Sequence, residues 1–190
     1  MKITAIILAA ATLGVAAPAL AGPLDGATVH AQYLFPTQGS IYQDFGETTV
    51  SGDTIIASSL GNVGGVDLHA TGSNLTALFN QGYSTYWTSI GFNGFVVFDD
   101  TNTVGAITGV SINGATNMSG FDMSRISFDA DHIFVNWQGL ALNQGTVVSL
   151  DISSSGGAVP EPASWALMLG GFGAIGGAMR SRRKAAVSFG

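Results

Sequence analysis

No cysteine occurs in the 190 residues, so this chain has neither a disulfide framework nor a cysteine nucleophile. Basic side chains are nearly as scarce. Of the six Lys and Arg, Lys2 stands at the start, Arg180, Arg182, Arg183 and Lys184 cluster near the end, and only Arg125 lies between. Eleven acids occupy that interval: Asp25, Asp44, Glu47, Asp53, Asp67, Asp99, Asp100, Asp122, Asp129, Asp131 and Asp151. One minus eleven puts residues 22–159 at −10, which excludes nucleic acid, because phosphate binding needs a basic footprint. Catalytic signatures are missing too, with no G-x-S-x-G elbow and no H-E-x-x-H zinc helix. His30, His69 and His132 are the only histidines, and each sits in a strand-like run as a structural or surface group.

A sustained helical period is also absent between residues 22 and 159. Short β-prone runs separated by Gly, Asn, Asp, Ser and Thr take its place, which is how an all-β domain reads. Strands are expected at Thr28–Phe35, Glu47–Val50, Thr54–Ser59, Val66–Ala70, Asn74–Phe79, Thr85–Ile90, Phe92–Phe98, Gly105–Ile112, Ser124–Phe128, His132–Trp137 and Thr146–Ile152. Asn74–Gln81 also suits a helical turn. Phe95-Val96-Val97-Phe98 is apolar on both alternating faces, as a central strand would be. Ile133, Val135 and Trp137 share one face. Asp129-Ala130-Asp131 is a turn with local Asx hydrogen bonding. This density of strands predicts a β-sandwich of jelly-roll type over residues 22–152. Residues 153–159 then read as a flexible linker.

Both ends differ from this body. Met1-Lys2, the apolar run Ile3–Val15 and the A-x-A sequence Ala19-Leu20-Ala21 predict a signal peptide over residues 1–21, cut by signal peptidase after Ala21. Near the other end, Ala163–Met179 contains no charge, and its seventeen residues make a helix of about 25 Å, at the short end of a bilayer span. The basic cluster behind it favours a cytoplasmic end, and Trp165 suits the opposite interface. Gly170, Gly171, Gly173, Gly176 and Gly177 weaken the helix by about 1 kcal/mol each. Gly173 and Gly177 offer a small-xxx-small face. Residues 171–176 also match G-x-G-x-x-G, but no strand precedes them and no acidic residue follows, so a dinucleotide site is rejected.

Pro160-Glu161-Pro162, Trp165-Ala166, the apolar segment and the arginines together resemble the PEP-CTERM protein-sorting signal in its PEPxxWA variant. The resemblance covers residues 160–184, with a short tail at 185–190. It implies an exported Gram-negative protein handled by an exosortase, a membrane protease-transpeptidase thought to act near Pro-Glu-Pro and remove the helix and basic tail. Pro160, Glu161, Pro162, Trp165, Arg180, Arg182 and Arg183 would then be recognition residues. An inner-membrane intermediate held by residues 163–179 would precede release to the cell surface or extracellular matrix, with exopolysaccharide and biofilm as the implied setting. Residues 22–36 and 124–140 are similar to those of a set of exported PEP-CTERM proteins, which reinforces sorting and adds no activity.

Two binding chemistries are open to the domain. Asp99 and Asp100 with Asn102 follow a buried strand, and Asp129 and Asp131 flank a turn. Were the two turns at one end of the sandwich, they would offer oxygens to Ca²⁺. Tyr86 and Trp87 are adjacent in a strand and point to opposite faces, so one lies outside the core and is available to stack on a glycan. Tyr33, Tyr42 and Tyr83 are further candidates. The expectation is an exported, non-catalytic surface or matrix protein without a required cofactor. A carbohydrate- or calcium-binding module is the alternative, and a secreted hydrolase the third.

Overall fold

The computed structural model describes residues 22–62, 64–101, 103–155 and 162–182. The expected signal peptide with Ala19 and Ala21, together with Asn102, Pro160, Glu161 and Arg183, lies outside them. Residues 21–159 form one unit, and the C-terminal residues belong to another.

In Thr28-Val-His-Ala-Gln-Tyr-Leu34 (β1), Val29, Ala31 and Tyr33 face inward and His30 and Gln32 outward, the period of two that a half-buried strand imposes. The remaining strands are β2 (Ile41–Thr49), β3 (Thr54–Ser58), β4 (Val66–Thr71), β5 (Asn74–Phe79), β6 (Thr85–Tyr86) and β7 (Gly94–Phe98). They continue with β8 (Ile107–Ile112), β9 (Ile126–Phe128), β10 (His132–Asn136), β11 (Ala141–Leu142) and β12 (Thr146–Ser154). One five-stranded sheet runs β2-β1-β7-β10-β9, a second runs β3-β4-β5-β12-β8, and β11-β6 is a short ribbon. Every described pairing is antiparallel.

Inward side chains of both sheets form one apolar cluster, among them Val29, Tyr33, Phe95 and Val135 from the first and Leu68, Phe79, Leu150 and Ile152 from the second. The all-β expectation holds, and the two layers make a sandwich. Within the layers, β1–β2, β3–β4–β5 and β9–β10 are sequence neighbours paired in one sheet, and the chain crosses between the sheets at β2–β3, β5–β7, β7–β8, β8–β9 and β10–β12. β7 is central, as its FVVF pattern predicts, with Val96 as buried on the outer face as Phe95 and Val97 are on the inner. Gly94 begins it because a Cβ there would meet the Val135 carbonyl oxygen at 1.8 Å.

The ambiguous Asn74 segment is a strand. Ser153 and Ser154, read from the sequence as linker, pair with β8, and the Ser155 N–H donates to the Ala106 carbonyl at 2.8 Å, so these residues belong to the sandwich.

The second unit contains α1 (Pro162–Arg182), a 21-residue helix where the sequence predicts one. No helix among the described residues is long and apolar enough to cross a membrane, so the expected C-terminal transmembrane helix is not supported. Twenty-one residues span about 31 Å, so length is adequate and apolarity falls short. Five glycines and the Pro162-Ala-Ser-Trp165 start dilute it. Among the described residues nothing lies within 4 Å of a Cβ built at Gly173 or Gly177.

Candidate functional site

β6 pairs with β11, Tyr86 opposite Ala141, and the Trp87 N–H donates to the Leu140 carbonyl at 2.9 Å. This ribbon holds Tyr86 and Trp87 extended, so they point opposite ways as predicted. Tyr86 is 73 % exposed and Trp87 only 5 %. Trp87 stacks on Trp137 with centroids 5.1 Å apart, and Tyr33 and Phe79 close around the pair. A polar relay fixes the rings. The Trp137 indole N–H donates to the Tyr33 hydroxyl at 3.0 Å, and that hydroxyl donates to Asn93 Oδ1 at 2.6 Å. Burial raises the Tyr33 pKa above the ordinary phenol value, so it remains a neutral donor.

Above this cluster opens a cleft of about 240 Å³ lined by Tyr33, Phe35, Tyr42, Gly61, Thr85, Tyr86, Trp87, Thr88, Asn93 and Leu142. Tyr42 and Tyr86, both exposed, stand at its mouth. The Tyr42 hydroxyl accepts from Asn62 Nδ2 at 3.2 Å, which orients the ring. Gly61 belongs to the lining at φ +66°, and a Cβ there would press on Trp87 and Tyr33 at about 3 Å. No lining residue is charged. The Trp87 Nε1–H is buried with no hydrogen-bond partner among the described residues. Leaving a buried donor unsatisfied costs about 1–3 kcal/mol.

Tyr33 and Tyr42 thus join Tyr86 and Trp87, whereas Tyr83 is exposed and does not line the cleft. Phe35, Asn93 and Gly61 escaped sequence reasoning. Phe35 and Gly61 are remote in the chain from Tyr86, and Asn93, seven residues beyond it, is held by the hydrogen bond from Tyr33 at 2.6 Å.

The candidate calcium residues Asp99, Asp100, Asp129 and Asp131 come together at one end of the sandwich. The Asp99 N–H donates to the Asp131 carbonyl at 3.2 Å, so the two turns are adjacent. Their carboxylates are engaged locally. Asp99 accepts from the backbone of Thr101 and Val104, and Asp129 accepts from the N–H groups of Asp131 and His132. The Asp131 N–H first, then His132, hold the Asp129 carboxyl below its usual pKa. Asp100 turns to His30. Among the described residues no group of three or more such side chains is placed to hold a metal ion.

All three histidines pair with acids. His69 meets Asp53 at 2.9 Å and His132 meets Asp129 at 3.0 Å. His30 lies between Asp44, at 2.6 Å from Nε2, and Asp100, at 3.2 Å from Nδ1. Only the imidazolium can donate from both nitrogens. Burial opposes that charge, but the two carboxylates outweigh it and raise the His30 pKa, while the His30 bond lowers that of Asp44.

Of the sorting residues, Pro162, Trp165, Arg180 and Arg182 fall on α1. Its described apolar side chains, Met168, Leu169, Phe172, Ile175 and Met179, are all exposed.

Residues 158–184 match the family model of the PEP-CTERM protein-sorting motif. No curated protein and no solved structure matches the chain. The motif marks it as an exported protein targeted to an exosortase, which is its processing partner.

Proposed function

We propose that this exported, exosortase-targeted chain is a non-catalytic protein of the cell surface or extracellular matrix, and that its β-sandwich holds exopolysaccharide in the Tyr42–Tyr86–Trp87 cleft. The carrying observation is the aromatic, uncharged lining of the cleft, where Tyr42 and Tyr86 are exposed. A pyranose ring has an apolar C–H face for Tyr42 or Tyr86 and hydroxyls for the Thr85 and Thr88 side chains of the lining. At about 240 Å³ the cleft is below the roughly 300–1,000 Å³ of enclosed small-molecule sites, which suits a short stretch of polymer.

Binding without hydrolysis is favoured because the lining has no carboxylate, whereas a glycosidase needs two across the scissile bond. In this account the C-terminal segment is an address, removed when the exosortase acts near Pro-Glu-Pro, and the sandwich is what remains at the surface.

The test is isothermal titration of the domain with exopolysaccharide purified from producing cells. Wild-type protein binds, and Tyr42→Ala and Tyr86→Ala each weaken binding at least tenfold without changing the melting temperature. Absence of wild-type binding, or equal binding by both variants, refutes the cleft as a glycan site.

A further inference from the structure

We infer that cleavage of the signal peptide after Ala21 completes the fold. The α-ammonium freed at Gly22 pairs with the Asp25 carboxylate in a socket closed by Gly72. The cut itself is the expectation drawn from the A-x-A sequence, and the docking of its product is what the geometry adds. The glycan reading plays no part in it.

The socket draws on both sheets. The Gly22 nitrogen lies 2.8 Å from Asp25 Oδ2. The Asp25 N–H returns to the Gly22 carbonyl at 3.1 Å, which closes residues 22–25 as a turn. Beside it, the Leu24 N–H donates to the Gly72 carbonyl at 2.7 Å, and the Leu24 side chain is buried in the core. Gly72 belongs to the turn between β4 and β5, in the second sheet. The Gly26 N–H donates to the Val50 carbonyl at 2.9 Å, just past β2 of the first sheet, and the Val50 N–H returns to the Ala27 carbonyl at 2.8 Å. Space then selects the residues. A Cβ on Gly22 would run into the Gly72 carbonyl oxygen, and one on Gly72 would meet the Asp25 carboxylate at 2.5 Å. The residue that the predicted cut leaves first is therefore the residue type that fits.

Charge favours the pair as well. Residues 22–159 hold eleven acids and Arg125 but no lysine, so the Gly22 amine would be their only primary amine. Every ion pair among the described residues draws its cation from a histidine, and none includes Asp25. In the uncut chain the Gly22 nitrogen is a neutral amide. Hydrolysis places the hydroxyl of water on the Ala21 carbonyl carbon and its proton on that nitrogen, and a further proton from solvent makes it an ammonium at neutral pH. A charge-assisted hydrogen bond then takes the place of a neutral donor's, and such bonds are roughly twice as strong.

The test uses the exported protein purified from producing cells. Peptide mass mapping should find an N-terminal peptide that begins at Gly22 with a free amine. Acylation of that amine by acetic anhydride at neutral pH, followed on the same peptide, then reads the pair. Only the unprotonated amine reacts, so wild type should acylate about threefold more slowly than Asp25→Asn, the change an exposed ion pair allows. Asp25 is exposed, so Asp25→Asn should fold normally. Gly22→Ala keeps both charges but loses the fit, and should react as fast as Asp25→Asn. A mature chain that begins at any other residue overturns the inference, as do equal rates in wild type and Asp25→Asn. A wild-type rate in Gly22→Ala overturns it too, since the socket would then not select glycine.

Discussion

Trp137 in the sandwich and Phe172 in α1 are aromatic residues of one chain treated in opposite ways. Trp137 is fully buried against Trp87, Phe79, Phe95 and Tyr33, whereas Phe172 is 67 % exposed. The difference extends to the segments around them. In the sandwich, apolar residues alternate so that two sheets close on one cluster, and packing explains the sequence. Along α1 the exposed apolar residues are interleaved with five glycines whose built Cβ would meet nothing within 4 Å among the described residues. That segment falls within the match to the sorting motif.

Substitutions sharpen the contrast in order of size. Trp137→Ala should destabilise the sandwich by about 3–5 kcal/mol, read by chemical denaturation, because it empties the centre of the ring cluster. A loss under about 1 kcal/mol would mean that the rings are less tightly coupled than their geometry indicates. Tyr33→Phe should cost about 1–3 kcal/mol, since it strands the Trp137 N–H and the Asn93 carbonyl oxygen inside the core.

A smaller effect depends on pH. The His30 pKa is raised in the fold, so its contribution is complete below the unfolded value of about 6.5 and is lost as pH rises through the folded one. Asp44 is shifted down, so its share is present above its unfolded pKa and is lost as pH falls through the folded value. The pair is therefore strongest between about pH 4 and 6.5. Its partners are half exposed, which limits the change to below about 1 kcal/mol. His30→Gln should remove the alkaline limb from a stability–pH profile. At the bottom of the scale, Phe172→Ala and Tyr86→Ala should each shift domain stability by no more than about 0.5 kcal/mol, though Tyr86→Ala should weaken glycan binding at least tenfold.

What was legible in the sequence follows from how local each signal is. The alternation of Ile133, Val135 and Trp137 marked β10 and its buried face, because period two is written in the residues themselves. Most of β2 went unseen, as Ile41-Tyr-Gln-Asp-Phe45 lies on an exposed edge with little alternation and a glycine at positive φ following at Gly46. Sheet order was not legible, since pairing β5 with β12 joins segments some seventy residues apart. The opposed faces of Tyr86 and Trp87 were readable from adjacency alone. The cleft they help to form was not, because Tyr42, Gly61 and Asn93 reach it through tertiary pairing. The motif at 158–184 was plain for the opposite reason, being carried by consecutive residues.

The intact mass of the exported protein, purified from producing cells, tests most directly whether these two regions have separate fates. The account predicts a chain that retains the whole sandwich through Ser155 and ends before Trp165, without α1 or the arginines. A mature species still carrying Trp165 and Arg180–Lys184 would contradict it and make the helix part of the finished protein.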